Sequence, residues 1–366
     1  DCSYYACIPT KTLLRPGEVL AAARLAPGAM EAITGELDPA QVFAWRDQVT
    51  DGRDDSWHAN WLAEHGAELV RGHARVARPG VVEVAGREVE YTALVGATGS
   101  SPRVPDVEGL VETGFWTNRE AVWTDRAPES LVVLGGGPVG VELAQFFHRL
   151  GSRVTLLESS PHLLARLDAD VGELLRERFD EEGIEVRVEV RAERVERTNG
   201  GARVHLSAGE PVDAEQIVVA IGRRPNVEGI GLEQLGVEIT AKGITVDDRL
   251  RAAEGVWAIG DPTGVALLTH LGKYQARVAA ANVAGRDYVA DYRAIPAAVF
   301  TDPQVASVGT TEGDGVVTAS YRIEGGRLST YESPKRPGLV KLAADANEGV
   351  LVGAVAVGPE AGEWLG

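Results

Sequence analysis

Cysteine and methionine are nearly missing from these 366 residues, with two of the first and one of the second. Two cysteines exclude a disulphide framework for a chain of this length, and alone they cannot supply a four-ligand zinc site, so no metal ligands are assigned. Long apolar runs are also missing. No stretch approaches the roughly 18 uncharged apolar residues of a membrane span, and Asp1-Cys2-Ser3-Tyr4-Tyr5 has no basic segment leading into an apolar one. Neither membrane insertion nor a secretory route is expected, which leaves the cytoplasm. Basic residues are outnumbered, 36 against 54 acidic, for a net charge of −18 at pH 7. No basic patch offsets this, so nucleic acid is not an expected partner. A content of 44% apolar and 25% charged residues is ordinary for a globular chain and excludes disorder as the main state. Glycine is what the chain has in excess: 43 residues, where an average usage of roughly 7% would give far fewer. Such a surplus fits tight backbone turns, which can cradle phosphates. The length exceeds the roughly 250–300 residues at which one core stops growing, so two or three domains are expected.

Hydrophobic spacing predicts helices over Pro9–Leu25, Pro39–Val49 and Asp54–His65. Short strands come next at Glu68–Arg71, Val81–Val84 and Glu88–Tyr91, and a buried strand at Ala93–Ala97 stops at Thr98-Gly99-Ser100-Ser101-Pro102. The proline-punctuated stretch from Pro102 to Pro128 reads as a connection between domains. After it stand a strand Leu131–Leu134, a turn Gly135–Gly140, a helix Val141–Leu150 and a strand Val154–Glu158, a βαβ unit of about 30 residues. A helix Val171–Glu182 and strands near Glu185–Val188, Ala202–Leu206 and Gln216–Ile221 carry the chain to Gly222. A second strand-then-glycine module, Gly255–Asp261, precedes an alanine-rich helix over Thr269–Ala284; strands resume after Tyr292, and no clear element ends the chain.

The glycine turn has the spacing GxGxxG between a strand and a helix. Gly135 permits the tight turn, Gly137 lets backbone N–H groups approach a pyrophosphate, and Gly140 allows close packing of helix on strand, with Pro138 and Val139 between them. Glu158 lies at a distance that suits an acceptor for the adenosine ribose hydroxyls. A 2′-phosphate would prefer a cation there, so NAD is favoured over NADP; the alternative is a solvated strand end. Cys2 and Cys7 are either inert buried thiols or a redox pair. On an ideal helix their Cα atoms would lie roughly 8.5 Å apart, beyond the ~7 Å limit for a disulphide, so a bridge requires a distorted turn. Such a bridge would be easily reduced, which suits redox cycling in the cytosol. Lys11 would stabilise nearby negative charge or is an ordinary surface lysine.

The sequence resembles the class I pyridine nucleotide–disulphide oxidoreductases, the flavoenzyme family of dihydrolipoamide dehydrogenase, glutathione reductase and mercuric reductase. The resemblance rests on Cys2-Ser-Tyr-Tyr-Ala-Cys7-Ile-Pro-Thr-Lys11, Gly72-His73-Ala74, Ala97-Thr98-Gly99-Ser100, Gly135–Glu142, Ile221-Gly222-Arg223-Arg224-Pro225-Asn226, Trp257–Asp261 and Val299-Phe300-Thr301-Asp302-Pro303. It implies an α/β fold with two Rossmann-like dinucleotide-binding domains, one for FAD and one for NAD, and the start of an α+β interface domain. The implied boundaries are 1–127 for the first part of the FAD domain, 128–224 for the NAD domain, 225–291 for the rest of the FAD and central part, and 292–366 for the interface domain. It further implies a Cys2–Cys7 redox disulphide, with Cys7 nearer the flavin and Cys2 attacking an outside disulphide. Lys11 and Glu142 would pair beside the flavin; Glu142 also reads as a first-turn residue complementing the helix dipole. His73, Ala74, Thr98, Gly99, Gly260, Asp261, Leu268, Thr269 and His270 would contact FAD, with Asp261 on a ribityl hydroxyl; Gly222 closes the NAD domain. The implied partners are a small or protein-bound disulphide or dithiol and a second copy of the chain.

Departures from the family pattern sharpen these expectations. Nothing before Asp1 supplies the first FAD glycine motif, and the chain stops before the family's C-terminal His–Glu pair, so no general base is assigned. It is expected to be an internal fragment of a dimeric enzyme that by itself neither holds FAD well nor turns over. Tyr4-Tyr5-Ala6 replaces smaller residues between the cysteines. The expected activity is therefore an NAD-linked dithiol–disulphide oxidoreductase most like dihydrolipoyl dehydrogenase. Reduction of mercuric ion or a quinone, or a redox sensor with little turnover, stand as alternatives.

Overall fold

The computed structural model describes residues 2–323 and 338–365. The chain divides into two compact units, one built from 1–53, 102–222 and 293–366 and the other from 54–101 and 223–292.

The first unit centres on a four-stranded parallel sheet in the order Gln216–Val219, Ser130–Leu134, Arg153–Leu157, Glu185–Arg187. The first three of these strands are near-continuous apolar runs because both faces are covered, whereas the edge strand Glu185–Arg187 carries a single apolar residue and none that is fully buried. Leu131 and Val133 face a core shared with Val141 and Phe147 of the helix Pro138–Arg149 and with Val171, Leu175 and Phe179 of the helix Ala169–Glu182. Val132, Leu134 and Ile217 face the other way, against Val195 and Val204 of an antiparallel sheet formed by Ala192–Thr198, Gly201–Leu206 and Val212–Ala214. The helices Cys7–Ala23 and Pro39–Val49 join the first core through Leu13, Leu14, Val42 and Phe43. A five-stranded antiparallel sheet, in the order Ala297–Val299, Gln304–Gly309, Leu351–Gly358, Gly338–Asp345, Val316–Ile323, adds Val305, Leu339 and Val355 to it.

The second unit holds the helix Ser56–Glu64 and an antiparallel meander of Ala74–Arg78, Val81–Val84 and Arg87–Glu90. A second sheet runs Arg251–Ala253, Val256–Ala258, Leu94–Gly96, the last two parallel, beside the helix Thr269–Val283.

Three expectations are corrected. Glu68–Arg71 is not a strand. Leu69 is exposed and the flanking charges pair sideways, Glu68 with Arg87 and Arg71 with Asp55. The meander instead begins at Ala74–Arg78, whose one buried residue is Val76. The stretch 102–128 is part of the first unit, because Leu110, Ala121 and Val122 are fully buried and short helices form at Leu110–Thr113 and Asn118–Trp123. Proline punctuation hid those few inward-facing residues. The end of the described chain carries a four-residue helix, Ala361–Trp364, with Ala361 buried.

Candidate active site

The segment between the two cysteines is a turn, and the helix begins at Cys7 after Ala6 adopts φ −143°, ψ −104°. Cys2 therefore lies outside the helix and Cys7 is its first residue. The Ile8 amide donates to the Cys2 carbonyl at 3.0 Å, which folds the turn back on the helix start. Both cysteines are half-buried. Lys11 is four residues after Cys7, so the two share a helix face.

Lys11 and Glu142, remote in sequence, meet at Phe300. The Lys11 ammonium stands 3.8 Å from the centroid of the Phe300 ring, and the Phe300 amide donates to Glu142 Oε1 at 2.8 Å. Burial raises the Glu142 pKa to about 7, against the opposing pull of the Phe300 hydrogen bond and the Lys11 charge. The residue keeps some accessible surface, but the atoms packed around its carboxyl exclude enough water to disfavour the ionised form. Phe300 is held by its own segment: the Asp302 amide donates to Gln145 Oε1 at 2.8 Å, and Arg149 donates to Asp302 Oδ2 at 2.8 Å. Nothing in the residue pattern around Phe300 announced this role, although Val299–Pro303 stood out as a motif.

The Gly135–Gly140 turn leads directly from the strand Ser130–Leu134 into the helix Pro138–Arg149, which starts earlier than Val141 because Pro138 fits the first turn. Gly135 has φ +108°. A Cβ at Gly140 would stand 1.8 Å from the Gly135 carbonyl oxygen, whereas one at Gly137 would meet nothing within 4 Å. One face of the turn is thus packed solid and the other is open to a ligand. Val139 is half-buried and Pro138 exposed beside it. Glu158 is buried, not a solvated strand end: Oε2 accepts from the Gly136 amide and Oε1 from the Ser160 amide, each at 2.6 Å. The carboxylate therefore braces the glycine turn from behind, a link that strand-end spacing did not reveal.

In the second unit Gly260 sits at φ +75°, ψ −152°, a conformation for glycine, and its amide donates to Gln275 Oε1 at 2.6 Å. Asp261 accepts from the Ser100 hydroxyl, and Arg223 donates to both the hydroxyl and the carbonyl of Ser100, at 2.7 and 2.6 Å. Ser100 and Arg223, which lie inside the motifs without any signal of their own, are thus the supports of Asp261. Thr98 and Asn226 bond to each other's backbones beside Gly99. His73, Ala74, Thr98, Gly222, Thr269 and His270 are exposed, and Gly99 and Leu268 are half-buried.

Residues 1–287 match the family described as pyridine nucleotide-disulphide oxidoreductase, and residues 295–366 match its dimerisation domain. The chain belongs to the pyridine nucleotide-disulphide oxidoreductases. The dihydrolipoyl dehydrogenase of Thermus scotoductus is 36% identical over 378 residues, covering all of this chain and 81% of that protein. A mercuric reductase of Staphylococcus aureus is 29% identical, covering all of this chain and 69% of its own length. LpdA from Mycobacterium tuberculosis superposes with a TM-score of 0.85 at 28% identity, over all of this chain and 83% of that one. The flavoprotein disulphide reductase RclA from Escherichia coli shares the fold, with a TM-score of 0.86 at 23% identity, over all of this chain and 82% of that one. As a pyridine nucleotide-disulphide oxidoreductase, the chain is an FAD-dependent enzyme that exchanges electrons between a pyridine nucleotide and a sulphur substrate, and its dimerisation domain marks it as a subunit of a homodimer. Among the described residues no helix is long and apolar enough to cross a membrane.

Proposed function

We propose that Cys2 and Cys7 are the electron-exchanging pair of a dihydrolipoyl dehydrogenase-like enzyme, that NAD(H) rather than NADP(H) occupies the Gly135–Gly140 turn, and that Lys11 and Glu142 stand beside the flavin. The observation that supports this best is the Lys11–Phe300–Glu142 assembly. It sets a cation one helical turn beyond Cys7 and a carboxyl with a pKa of about 7 on the same aromatic residue. We assign 1–127 and 225–291 to the FAD-binding part, 128–224 to the NAD-binding domain and 292–366 to the interface domain, and place the enzyme in the cytoplasm, where a cycling thiol pair finds reducing partners.

The residues fit both cofactors. Gly137 leaves an open approach for a pyrophosphate at the start of a 12-residue helix, and the buried Glu158 carboxylate would repel a 2′-phosphate. Asp261, propped by Ser100 and Arg223, offers an oriented carboxylate to a hydroxyl of FAD; Gly260 and Gly99 give close backbone approach, and His73, Ala74, Thr98, Leu268, Thr269 and His270 are the further contacts. When bound, FAD supplies the two-electron relay between nicotinamide and sulphur. Lys11 favours the thiolate of Cys7 over the thiol. Glu142 can hold or release a proton near neutral pH. For each NADH oxidised, one proton is taken up and the Cys2–Cys7 bond opens to two thiols. Cys2 then attacks the outside disulphide, breaking its S–S bond and releasing one substrate thiol. Cys7 attacks Cys2 in the mixed disulphide, releasing the second substrate thiol and re-forming the Cys2–Cys7 bond, with the two cysteine protons passing to the two released thiols.

Steady-state assays of the full-length protein with lipoamide test this reading. NADH should be preferred to NADPH by at least about tenfold in kcat/KM, and Cys2→Ser should abolish lipoamide reduction. Lipoamide turnover that survives Cys2→Ser, or a preference for NADPH, contradicts it; mercuric-ion reduction in place of lipoamide reduction would move the chain to that branch of the family.

A further inference from the structure

The turn between the cysteines is gripped from the side by the helix Asn118–Trp123. Asn118 Nδ2 donates to the Tyr5 carbonyl at 2.6 Å and Trp123 Nε1 donates to the Tyr4 carbonyl at 2.5 Å. The Arg119 guanidinium lies 4.0 Å from the centroid of the Tyr5 ring. The gripping helix is itself fixed at both ends. At its start Thr117 and Glu120 form a reciprocal capping box. At its end Arg46, 1% exposed, donates to the Val122 and Thr124 carbonyls at 2.8 and 2.7 Å and stacks on Trp123.

We propose that Asn118, Arg119 and Trp123 are positioning residues that set the reduction potential of the Cys2–Cys7 couple. The inference rests on the assignment of that pair as the redox centre. A dithiol is free to spread, and a disulphide is not. A turn whose two central carbonyls are pinned to a rigid helix denies the reduced form much of that freedom, so the thiols stay at high effective concentration and the oxidised form is favoured. Cutting one tether lets the reduced form spread and makes the bond easier to reduce. Tyr4 and Tyr5 are part of the device: their peptides supply the pinned carbonyls and the Tyr5 ring the seat for Arg119.

The test is a thiol–disulphide equilibration of the full chain in glutathione buffers, read by alkylation and mass. Two glutathione thiols become one glutathione disulphide as the Cys2–Cys7 bond opens, and their two hydrogens pass to the cysteines. Trp123→Phe keeps the ring that stacks on Arg46 but loses the N–H donor; Asn118→Ala loses the other donor. Each should shift the equilibrium constant toward the dithiol by about tenfold, equivalent to about 30 mV for a two-electron couple. Arg119→Ala, at an exposed position, should shift it the same way by about threefold and serves as the decisive variant if either of the others fails to fold. Constants equal to wild type in the folded variants, or shifts toward the disulphide, overturn the proposal while leaving the redox pair in place. A wild-type chain that forms no Cys2–Cys7 disulphide in any buffer overturns both.

Discussion

The two strand-then-glycine turns look alike in sequence and are built to opposite ends. At Gly135–Gly140 the helix begins at once, the carboxylate of Glu158 is turned inward to the Gly136 amide, and the open side presents backbone. At Gly260 the backbone amide is taken by Gln275, a short 3₁₀ turn Asp261–Thr263 intervenes, and the helix begins only at Thr269. There the group on offer is instead the side chain of Asp261, supported by Ser100 and Arg223. A glycine after a strand thus marks where a ligand can come close; the element after that glycine decides whether main-chain N–H groups or a carboxylate meet the ligand.

Gly140→Ala should break the first turn most severely, because its new methyl must displace a backbone oxygen 1.8 Å away. We expect a loss of about 3 kcal/mol in urea unfolding together with loss of NADH binding. Gly137→Ala sharpens the contrast within the same turn: stability should change by less than about 0.5 kcal/mol, while the KM for NADH rises about tenfold because the methyl stands in open space above the turn.

Asp261→Ala probes the second turn. Its removal should weaken FAD retention by about 2 kcal/mol, the scale of a hydrogen bond to a charged group, with NADH affinity unchanged. Flavin absorbance after gel filtration, set beside NADH titration, separates the two turns.

Glu142 belongs to the helix of the first turn and brings a pH dependence. Its folded pKa of about 7 lies above its ordinary value of 4.5, so the folded protein holds a proton that the unfolded chain releases. The stability this confers is fully present below 4.5 and is lost as pH rises through about 7. Relative to Glu142→Gln, the wild type should lose about 1–2 kcal/mol between pH 5 and pH 8.5, the full shift being reduced by the side chain's remaining contact with water. Urea midpoints at the two pH values measure it. Glu158→Gln sets an N–H donor against one of the two backbone amides that the carboxylate accepts from, so it should loosen the glycine turn as well as narrow the preference for NADH over NADPH by about tenfold.

Elements with a local signature were legible. The helix Pro39–Val49 occupies its expected span because Asp38 caps it, accepting from the Ala40 amide at 2.9 Å, and proline opens it. The Gly135–Gly140 turn was equally plain, its strand, glycines and helix being consecutive. What escaped has its cause elsewhere in the chain. Phe300 matters because Gln145 and Arg149 hold its segment; Arg46 is buried because carbonyls of 122 and 124 await it; and Ala192–Thr198 sets charged residues in adjacent pairs around Val195, its one buried residue, so it lacks the alternation of a strand. Such placements depend on partners that no window of sequence contains.

The central claim, that a pyridine nucleotide delivers electrons to Cys2 and Cys7, is tested most directly by anaerobic titration of the FAD-loaded protein with NADH, with alkylation and mass measurement of the peptide around residues 2–7 as the readout. The prediction is that each NADH consumed exposes two alkylatable thiols, at Cys2 and Cys7. Oxidation of NADH with no gain in alkylation at these residues would contradict it.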